Sequence, residues 1–335
     1  MLSVLSFGGG QDSTALLYMY LYDRAFRERY APGEFLVAMS DTQAEHPDTI
    51  EHVAECRDLC ESHSIPFLWI TADLGFHTGH WRDGGLLGQW RATSTITSVA
   101  FPNASCTDSL KIAPFYKALN HVVACVHGYA EEPRKAALRS YAADHDKINV
   151  WIGFTRGEEA RAGIARSLQQ AFDFACIGSS DPLWMQESIA KQYPLIDLGL
   201  DRRDCQNAIK GFGHRVPPPS QCYACHWKSD EMVLWTKLRY PELFNAWSTA
   251  ERQKLNDWND EAFRRARQKP ENFIPNGTYK NTPVGGRFHP DGRPIALEER
   301  AEVMQRALGH LSATELLRYL DAYRMDHGHA VGSQF

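Results

Sequence analysis

Ser6-Phe7-Gly8-Gly9-Gly10-Gln11-Asp12-Ser13-Thr14 is the stretch that decides the fold. The apolar run Leu2 to Phe7 before the glycines reads as a buried strand, and Thr14 to Glu28 after them as a helix. Three glycines at that junction let the backbone turn tightly and present N–H groups with no Cβ in the way. The helix N-terminus adds partial positive charge, and Ser13 and Thr14 add hydroxyl donors, so the segment is suited to cradling phosphates. Its spacing is not G-x-G-x-x-G and no Gly-Lys-Ser/Thr follows, so it matches neither the dinucleotide nor the Walker fingerprint. A plain Gly-rich turn with Ser/Thr helix caps is the bland alternative. Strand, glycines, aspartate and helix falling in one register speak against it.

Working outward, Phe35 to Met39 reads as a second strand, Pro47 to Ser62 as a helix with Pro in its first turn, and Phe67 to Thr71 as a third strand. Lys111 to Val126 carries apolar residues at helical spacing, and Val150 to Phe154 is a fourth strand. Strands alternating with helices argue for an α/β fold on a parallel sheet, with a ligand site at the carboxyl ends of the strands. Asp73 to Ala104, rich in Gly, His, Trp and Thr, is expected to form loops over that site, and Tyr129 to Lys147 a surface excursion. After Pro194 the character changes. A short helix is expected at Asp201 to Lys210, an extended turn at Pro217-Pro218-Pro219, and then Cys222-x-x-Cys225. Helical stretches follow near Asp230–Lys237, Glu251–Gln268, Leu297–Leu308 and Thr314–His327, with a Gly/Pro-rich connection from Pro275 to Pro294. The division expected is a nucleotide-binding α/β domain over 1–200 and a Cys-containing, mainly helical region over 201–335.

Composition narrows the function classes. The 335 residues are 43% apolar and 23% charged, a globular balance long enough to bury a core without covalent staples. Lys plus Arg number 36 against 41 for Asp plus Glu, a net charge of −5, so a nucleic-acid partner would have to meet a local patch. Eight scattered cysteines with a single C-x-x-C argue against a secreted disulfide framework. The longest apolar run, Ala15 to Tyr22, is too short to span a bilayer, and Met1 to Phe7 has no signal-peptide pattern, so no membrane and a cytoplasmic location are expected.

The stretch from Ser6 to Thr14 resembles the PP-loop, S-G-G-x-D-S, of ATP pyrophosphatases, in the form used by the phosphoadenosine phosphosulfate (PAPS) reductase-like family. Gly8 stands where the first Ser often is, and Gln11 where many relatives have Lys. Further stretches resemble the family in order: Ser40-Asp41-Thr42 with Glu45, Cys106-Thr107-Asp108-Ser109-Leu110-Lys111-Ile112-Ala113-Pro114, and Gly153-Phe154-Thr155-Arg156-Gly157-Glu158-Glu159-Ala160-Arg161. Tyr193-Pro194-Leu195-Ile196-Asp197, Arg203-Asp204-Cys205, Pro217-Pro218 and the C-x-x-C continue it over residues 2–250.

The resemblance implies an adenine nucleotide α-hydrolase-like, Rossmann-like fold with a five-stranded parallel sheet and helices on both faces. It implies ATP with Mg²⁺, attack on the α-phosphate, an adenylated substrate and released pyrophosphate. Ser6, Phe7, Gly8, Gly9, Gly10, Gln11, Asp12, Ser13, Thr14, Asp41, Gly153 and Arg156 are then expected at the nucleotide. Asp12, Ser13, Lys111 and Arg161 are expected in the chemistry, the Arg as a planar fork and the Lys as a point charge. Sulfur transfer to a nucleic acid or nucleotide, fed by a sulfur donor protein, is the activity expected first. A sulfonucleotide reductase is the alternative, but its C-terminal E-C-G-x-H motif is missing from Asp326-His327-Gly328-His329-Ala330-Val331, and Cys225 is the last cysteine. A non-catalytic nucleotide-binding component of a phage or defence complex is the third reading, kept open by Gln11.

Cys106, Cys205, Cys222 and Cys225 form the candidate metal set, for a 4Fe–4S cluster, for zinc completed by His214 or His226, or for no metal at all. Cys56, Cys60, Cys125 and Cys176 read as core. His77, His80, His327 and His329 read as exposed loop or tail residues. Trp81, Trp90, Trp227, Trp235, Trp247 and Trp258 read as packing anchors, and Arg264-Arg265-x-Arg267-x-Lys269 as a solvated helix face.

Overall fold

In the computed structural model, which describes residues 1–94, 106–163, 181–218, 220–226, 228–259, 283–291 and 293–327, the chain opens with strand β1 (Leu2–Ser6). Then come helices α1 (Gln11–Tyr22) and α2 (Arg24–Tyr30), strand β2 (Glu34–Ser40), helix α3 (Pro47–Ser62) and strand β3 (Phe67–Ile70). The single helix expected from Thr14 is two helices. The Asp23 carboxylate accepts the Phe26 N–H at 3.1 Å and caps a new start, so the chain bends there. Helices α4 (Gly85–Thr93), α5 (Ala113–His127) and α6 (Ala136–His145) precede β4 (Ile148–Ile152), and α7 (Leu183–Ser188) leads into β5 (Ile189–Gln192). After these lie α8 (Pro194–Asp197), α9 (Arg202–Gly211), α10 (Asp230–Arg239), α11 (Pro241–Asn259), α12 (Leu297–Leu308) and α13 (Ala313–His327).

The five strands form one all-parallel sheet in the order β3-β2-β1-β4-β5. Side chains alternate across each strand, and the two faces are covered by different helices. Leu5, Phe35, Val37, Met39 and Trp151 pack against α1, α2, α3 and α9. Leu2, Val4, Leu36, Ala38, Ile148 and Val150 pack against α5, α6 and α7. Burial on both faces explains why these strands read as continuous apolar runs. Tyr129–Lys147 is therefore no surface excursion: it contains α6, which buries Ala137, Leu138 and Tyr141. Asp73–Ala104 likewise contains α4, with Leu86, Leu87 and Trp90 buried.

The chain divides into two compact units. The first comprises Met1–Asp41, Glu45–Phe76 and Lys111–Ser220, and the second Thr42–Ala44, His77–Leu110 and Gln221–Phe335. A cut at residue 200 would strip α9 from the first unit, whose core holds its Cys205 and Ile209 beside Leu16 and Leu17. The second unit packs Leu86, Trp90, Val233, Phe244, Trp247 and Leu297 into one cluster and Met232, Leu234, Trp235, Leu316 and Leu320 into another. Its charges are tied inward: buried Arg300 donates to Asp230 (2.6 Å) and to the carbonyls of Val284 (3.1 Å) and Lys228 (2.8 Å). Among the described residues no helix is long and apolar enough to cross a membrane.

Candidate functional site

β1 lies between β2 and β4, so the connections leave it in opposite directions and open a crevice at its carboxyl end. The glycine loop stands there. Phe7 N–H still pairs with the Ala38 carbonyl at 2.9 Å, after which Gly9 turns through φ +67° and Gly10 leads into α1. Glycine is required at position 9: a Cβ would lie 2.9 Å from Val53 Cγ2 and 3.0 Å from Thr49 Cγ2. The Ser13 hydroxyl accepts the Gly8 N–H (3.2 Å) and donates to the Gly10 carbonyl (3.1 Å). Thr14 Oγ1 is bonded to His52 Nε2 at 2.9 Å. Both hydroxyls therefore brace the loop rather than serve as its outward donors. Phe7 also turns inward, edge-on to Phe67, with ring centroids 5.9 Å apart, and Ser6 closes the strand in register with Ala38 and Ile152.

What the loop keeps available is backbone. α1 has no side-chain cap, and among the described residues the five successive amides of Gly9 to Ser13 meet no hydrogen-bond acceptor. Thr14 is the first to find one, the Gly10 carbonyl at 2.9 Å. On the Gly8 side the loop is open, with nothing within 4 Å of a Cβ placed there. On the Gly10 side Ser220 closes in, its Oγ 2.4 Å from the position a Cβ would take.

The segment after β4 supports the same spot. A Cβ on Gly153 would come within 3.1 Å of Ser13 N and 3.3 Å of Asp12 C, so the strand end approaches the first turn of α1 closely and a side chain there would press on it. Beyond it, buried Glu158 accepts Thr155 N–H (3.1 Å) and Thr155 Oγ1–H (3.3 Å) and forms an ion pair with Arg161. The Arg161 guanidinium lies 4.4 Å from the Phe154 ring centroid. Arg156 pairs with Asp201 at 2.8 Å, on the outside. Lys111 Nζ stands 3.3 Å from the buried Glu45 carboxylate, and Asp41 continues the β2 ladder with its N–H on the Ile70 carbonyl.

Asp12 is the electrostatic centre of the loop. Burial pushes its carboxyl above the usual carboxylate range, opposed chiefly by Arg202 and then by the Gln11 hydrogen bond. Gln11 Nε2 donates to Asp12 (3.2 Å), and its Oε1 accepts from Gln206 (3.0 Å). Arg202 and Gln206 both come from α9, four residues apart and so on one face. Sequence reasoning missed both, along with Ser220. The available signal was a helix opening Asp201-Arg202, with a capping aspartate placing a cation in the first turn.

The four candidate thiols fall in the two units, one in the first and three in the second. Cys205 is fully buried in the core of the first unit, where desolvation drives its thiol pKa upward. Cys106, Cys222 and Cys225 belong to the second unit. There Cys222 Sγ meets Thr42 Oγ1 at 3.3 Å, and Cys225 N–H closes a turn onto the Cys222 carbonyl at 3.1 Å. Among the described residues no three His, Cys, Asp or Glu side chains gather as a metal site. His214 stacks on Tyr18 at 4.2 Å in the first unit, and burial lowers His226 to about 4 in the second. Two smaller expectations are corrected: Cys125 is exposed, because it points off the outer face of α5, and His77 is buried. Cys56 and Cys60 are core, as are Trp90, Trp235 and Trp247. Cys176, Trp227, His329, the 264–269 basic run and the side chains of His80, Trp258 and His327 lie outside the described residues.

Comparison of the chain with protein-family models, with curated proteins and with solved structures finds no match in any of the three.

Proposed function

We propose that the chain binds Mg·ATP on the 6–14 loop and transfers its adenylyl group to an acceptor, releasing pyrophosphate. The fold would then be of the adenine nucleotide α-hydrolase-like kind and the protein a PAPS reductase-like ATP pyrophosphatase. The observation that carries this reading is the run of acceptor-free amides from Gly9 to Ser13 at the uncapped start of α1. Such donors at a helix N-terminus are ready-made partners for an anionic oxygen. The site lies at the carboxyl end of the central strand, where open parallel sheets bind ligands.

In this reading an acceptor nucleophile attacks the α-phosphorus, and the bond to the bridging oxygen of pyrophosphate breaks with its electron pair leaving on that product. The backbone amides would stabilise charge on the phosphate oxygens, and Arg161 and Lys111, each keeping its carboxylate partner, would add positive potential around the reacting phosphate. Asp12 and Asp41 are the residues that would hold the Mg²⁺ of Mg·ATP, which would supply charge neutralisation at the phosphates. Asp12 suits that part, because a carboxyl kept above its usual range by burial gains most when a cation arrives. The acceptor class proposed is a nucleic acid or nucleotide activated for sulfur transfer from a donor protein. Among the described residues no three His, Cys, Asp or Glu side chains gather as a metal site, and no step is routed through a cluster.

A second reading, nucleotide binding without turnover, is favoured by Gln11. It is neutral, and its amide is committed to Asp12 and Gln206. Pyrophosphate release from Mg·ATP, measured beside equilibrium ATP binding, separates the two. Release with AMP or adenylate formation supports the enzyme; tight binding with no release supports the second reading. A chain that binds neither ATP nor AMP sinks both.

A further inference from the structure

We infer that Arg202, on the first turn of α9, is the cation of the glycine loop and holds a phosphate oxygen of the bound nucleotide, a contact that rests on the ATP reading above. Its Nε is buried and, among the described residues, meets no hydrogen-bond acceptor. Its one ion-pair partner, Asp12 Oδ2, stands 3.8 Å away, close enough for charge neutralisation but beyond a hydrogen bond. The guanidinium is thus held at the loop with donor capacity unspent.

Three further observations converge on it. Gln206, one turn along α9, is hydrogen-bonded to Gln11, so this face of α9 runs beside the first turn of α1. Cys205 and Ile209 anchor the helix in the core with Leu16 and Leu17, which fixes that placement. The other cations of the region are matched to carboxylates: Arg161 with Glu158, Arg156 with Asp201 and Lys111 with Glu45. Arg202 faces Asp12 alone, across a gap, next to five amides that also lack acceptors. Donors from two helix starts leaving one kind of partner missing point to a polyanion. Position 11 is neutral, so the positive charge expected beside phosphates reaches the loop from α9.

The competing role is structural, with Arg202 serving only to neutralise Asp12. Calorimetric titration of the full chain with Mg·ATP, inorganic tripolyphosphate and adenosine distinguishes the two. Arg202→Gln is expected to weaken ATP and tripolyphosphate roughly 10- to 100-fold, the loss of a charge-assisted hydrogen bond, and to leave adenosine binding within about threefold. The double variant Arg202→Gln with Asp12→Asn is expected to stay weak. Recovery of tripolyphosphate binding in it to within about threefold of wild type would reduce Arg202 to a counter-ion and overturn the inference. Equal weakening of adenosine would overturn it too, as a general loss of fold. Arg202→Lys keeps the charge and the helix start, so it serves if the Gln variant unfolds. It should bind tripolyphosphate roughly 3- to 10-fold less tightly than wild type, and wild-type affinity would remove the guanidinium contact. A wild-type chain that takes tripolyphosphate but not ATP sinks the nucleotide reading and leaves Arg202 testable on tripolyphosphate; one that takes neither sinks both.

Discussion

Two helices of the first unit begin side by side and begin differently. α9 is closed by its own sequence: Asp201 accepts the N–H groups of Arg203 (2.8 Å) and Asp204 (3.0 Å), and Asp204 returns the favour to the Asp201 N–H (3.0 Å). That reciprocal capping is a stability device of about 1 kcal/mol. α1 begins on Gly10 with no side-chain cap. The extended backbone of Gly10 would accept a Ser, Asp or Asn, but a Cβ there would lie 2.4 Å from Ser220 Oγ, whereas the same unit caps α2 with Asp23. In the same unit α3, α5, α6, α7 and α8 also start without a side-chain cap. What marks the start of α1 is therefore its place at the sheet's switch point and, among the described residues, its run of five acceptor-free amides. In the proposed reading, the cap of α9 completes the fold, while the amides at the start of α1 are donors for a ligand.

The strongest blow to this contrast falls on the turn that shapes the bare start. Gly9→Ala would place a side chain in the left-handed region, costing about 1–2 kcal/mol, and press it against Val53 and Thr49 for about 1–3 more. Denaturant unfolding should therefore lose about 2–4 kcal/mol, accompanied by loss of ATP binding. A change under about 0.5 kcal/mol would mean that the turn is not held as described.

Acid is expected to act on the same support. His52, bonded to Thr14 behind the loop, falls from its usual 6.5 to about 4, chiefly through burial and then through Arg215. Between those values the unfolded chain takes up a proton that the folded chain refuses, so stability falls as pH drops from 6.5 to about 4 and levels off below. The full swing is about 3 kcal/mol. His226 carries the same sign in the second unit, so the pair His52→Gln and His226→Gln apportions the slope. If His52→Gln leaves the slope of the melting curve against pH unaltered, His52 is not neutral in the fold.

On the capped helix the effect should be smaller and purely structural. Asp201→Ala removes the cap and the Arg156 ion pair and should cost about 1–2 kcal/mol. Its carboxyl is held below the usual range, first by the Asp204 N–H and, among the other favourable partners, by Arg156. The contribution is therefore full above that range and lost as pH falls through the lowered value. Tripolyphosphate affinity should stay within about threefold, because Cys205 and Ile209 in the core, and not the cap, hold Arg202 at the loop; a larger drop would mean that the Asp201 cap itself positions Arg202.

The sheet was readable because its strands are buried on both faces and so stand as apolar runs. β5 escaped because Ile189–Gln192 contains Lys191, exposed on an edge strand, and looks like a loop. α6 escaped because a charged, Ala-rich exterior masked the few residues it buries. The glycine loop was legible as a backbone feature, since glycines before a helix declare their purpose locally. Which hydroxyls face inward was not legible: Ser13 and Thr14 find partners at Gly10 and His52, and the second lies thirty-eight positions away. Arg202 and Gln206 were invisible for the same reason, because only packing of α9 on α1 brings them to Asp12 and Gln11. Residue type alone grouped the four thiols, and the division of Cys205 from Cys106, Cys222 and Cys225 between two units comes only from the fold.

The smallest expected effect on stability is the sharpest test of what the bare start is for. At Gly8 a Cβ meets nothing within 4 Å and the backbone is not left-handed, so Gly8→Ala should change unfolding by no more than about 0.5 kcal/mol. The neighbouring Gly8 N–H is already spent on Ser13, so no loop contact is lost either. The methyl group would instead occupy the open side from which an anion reaches the amides of Gly9 to Ser13. Displacing even one charge-assisted hydrogen bond should weaken tripolyphosphate at least about tenfold. Unchanged stability with lost anion binding is what a ligand site predicts and a structural turn does not. Unchanged stability with unchanged binding would move the ligand to another side of the loop, and α1 would then be uncapped for no reason found at Gly8.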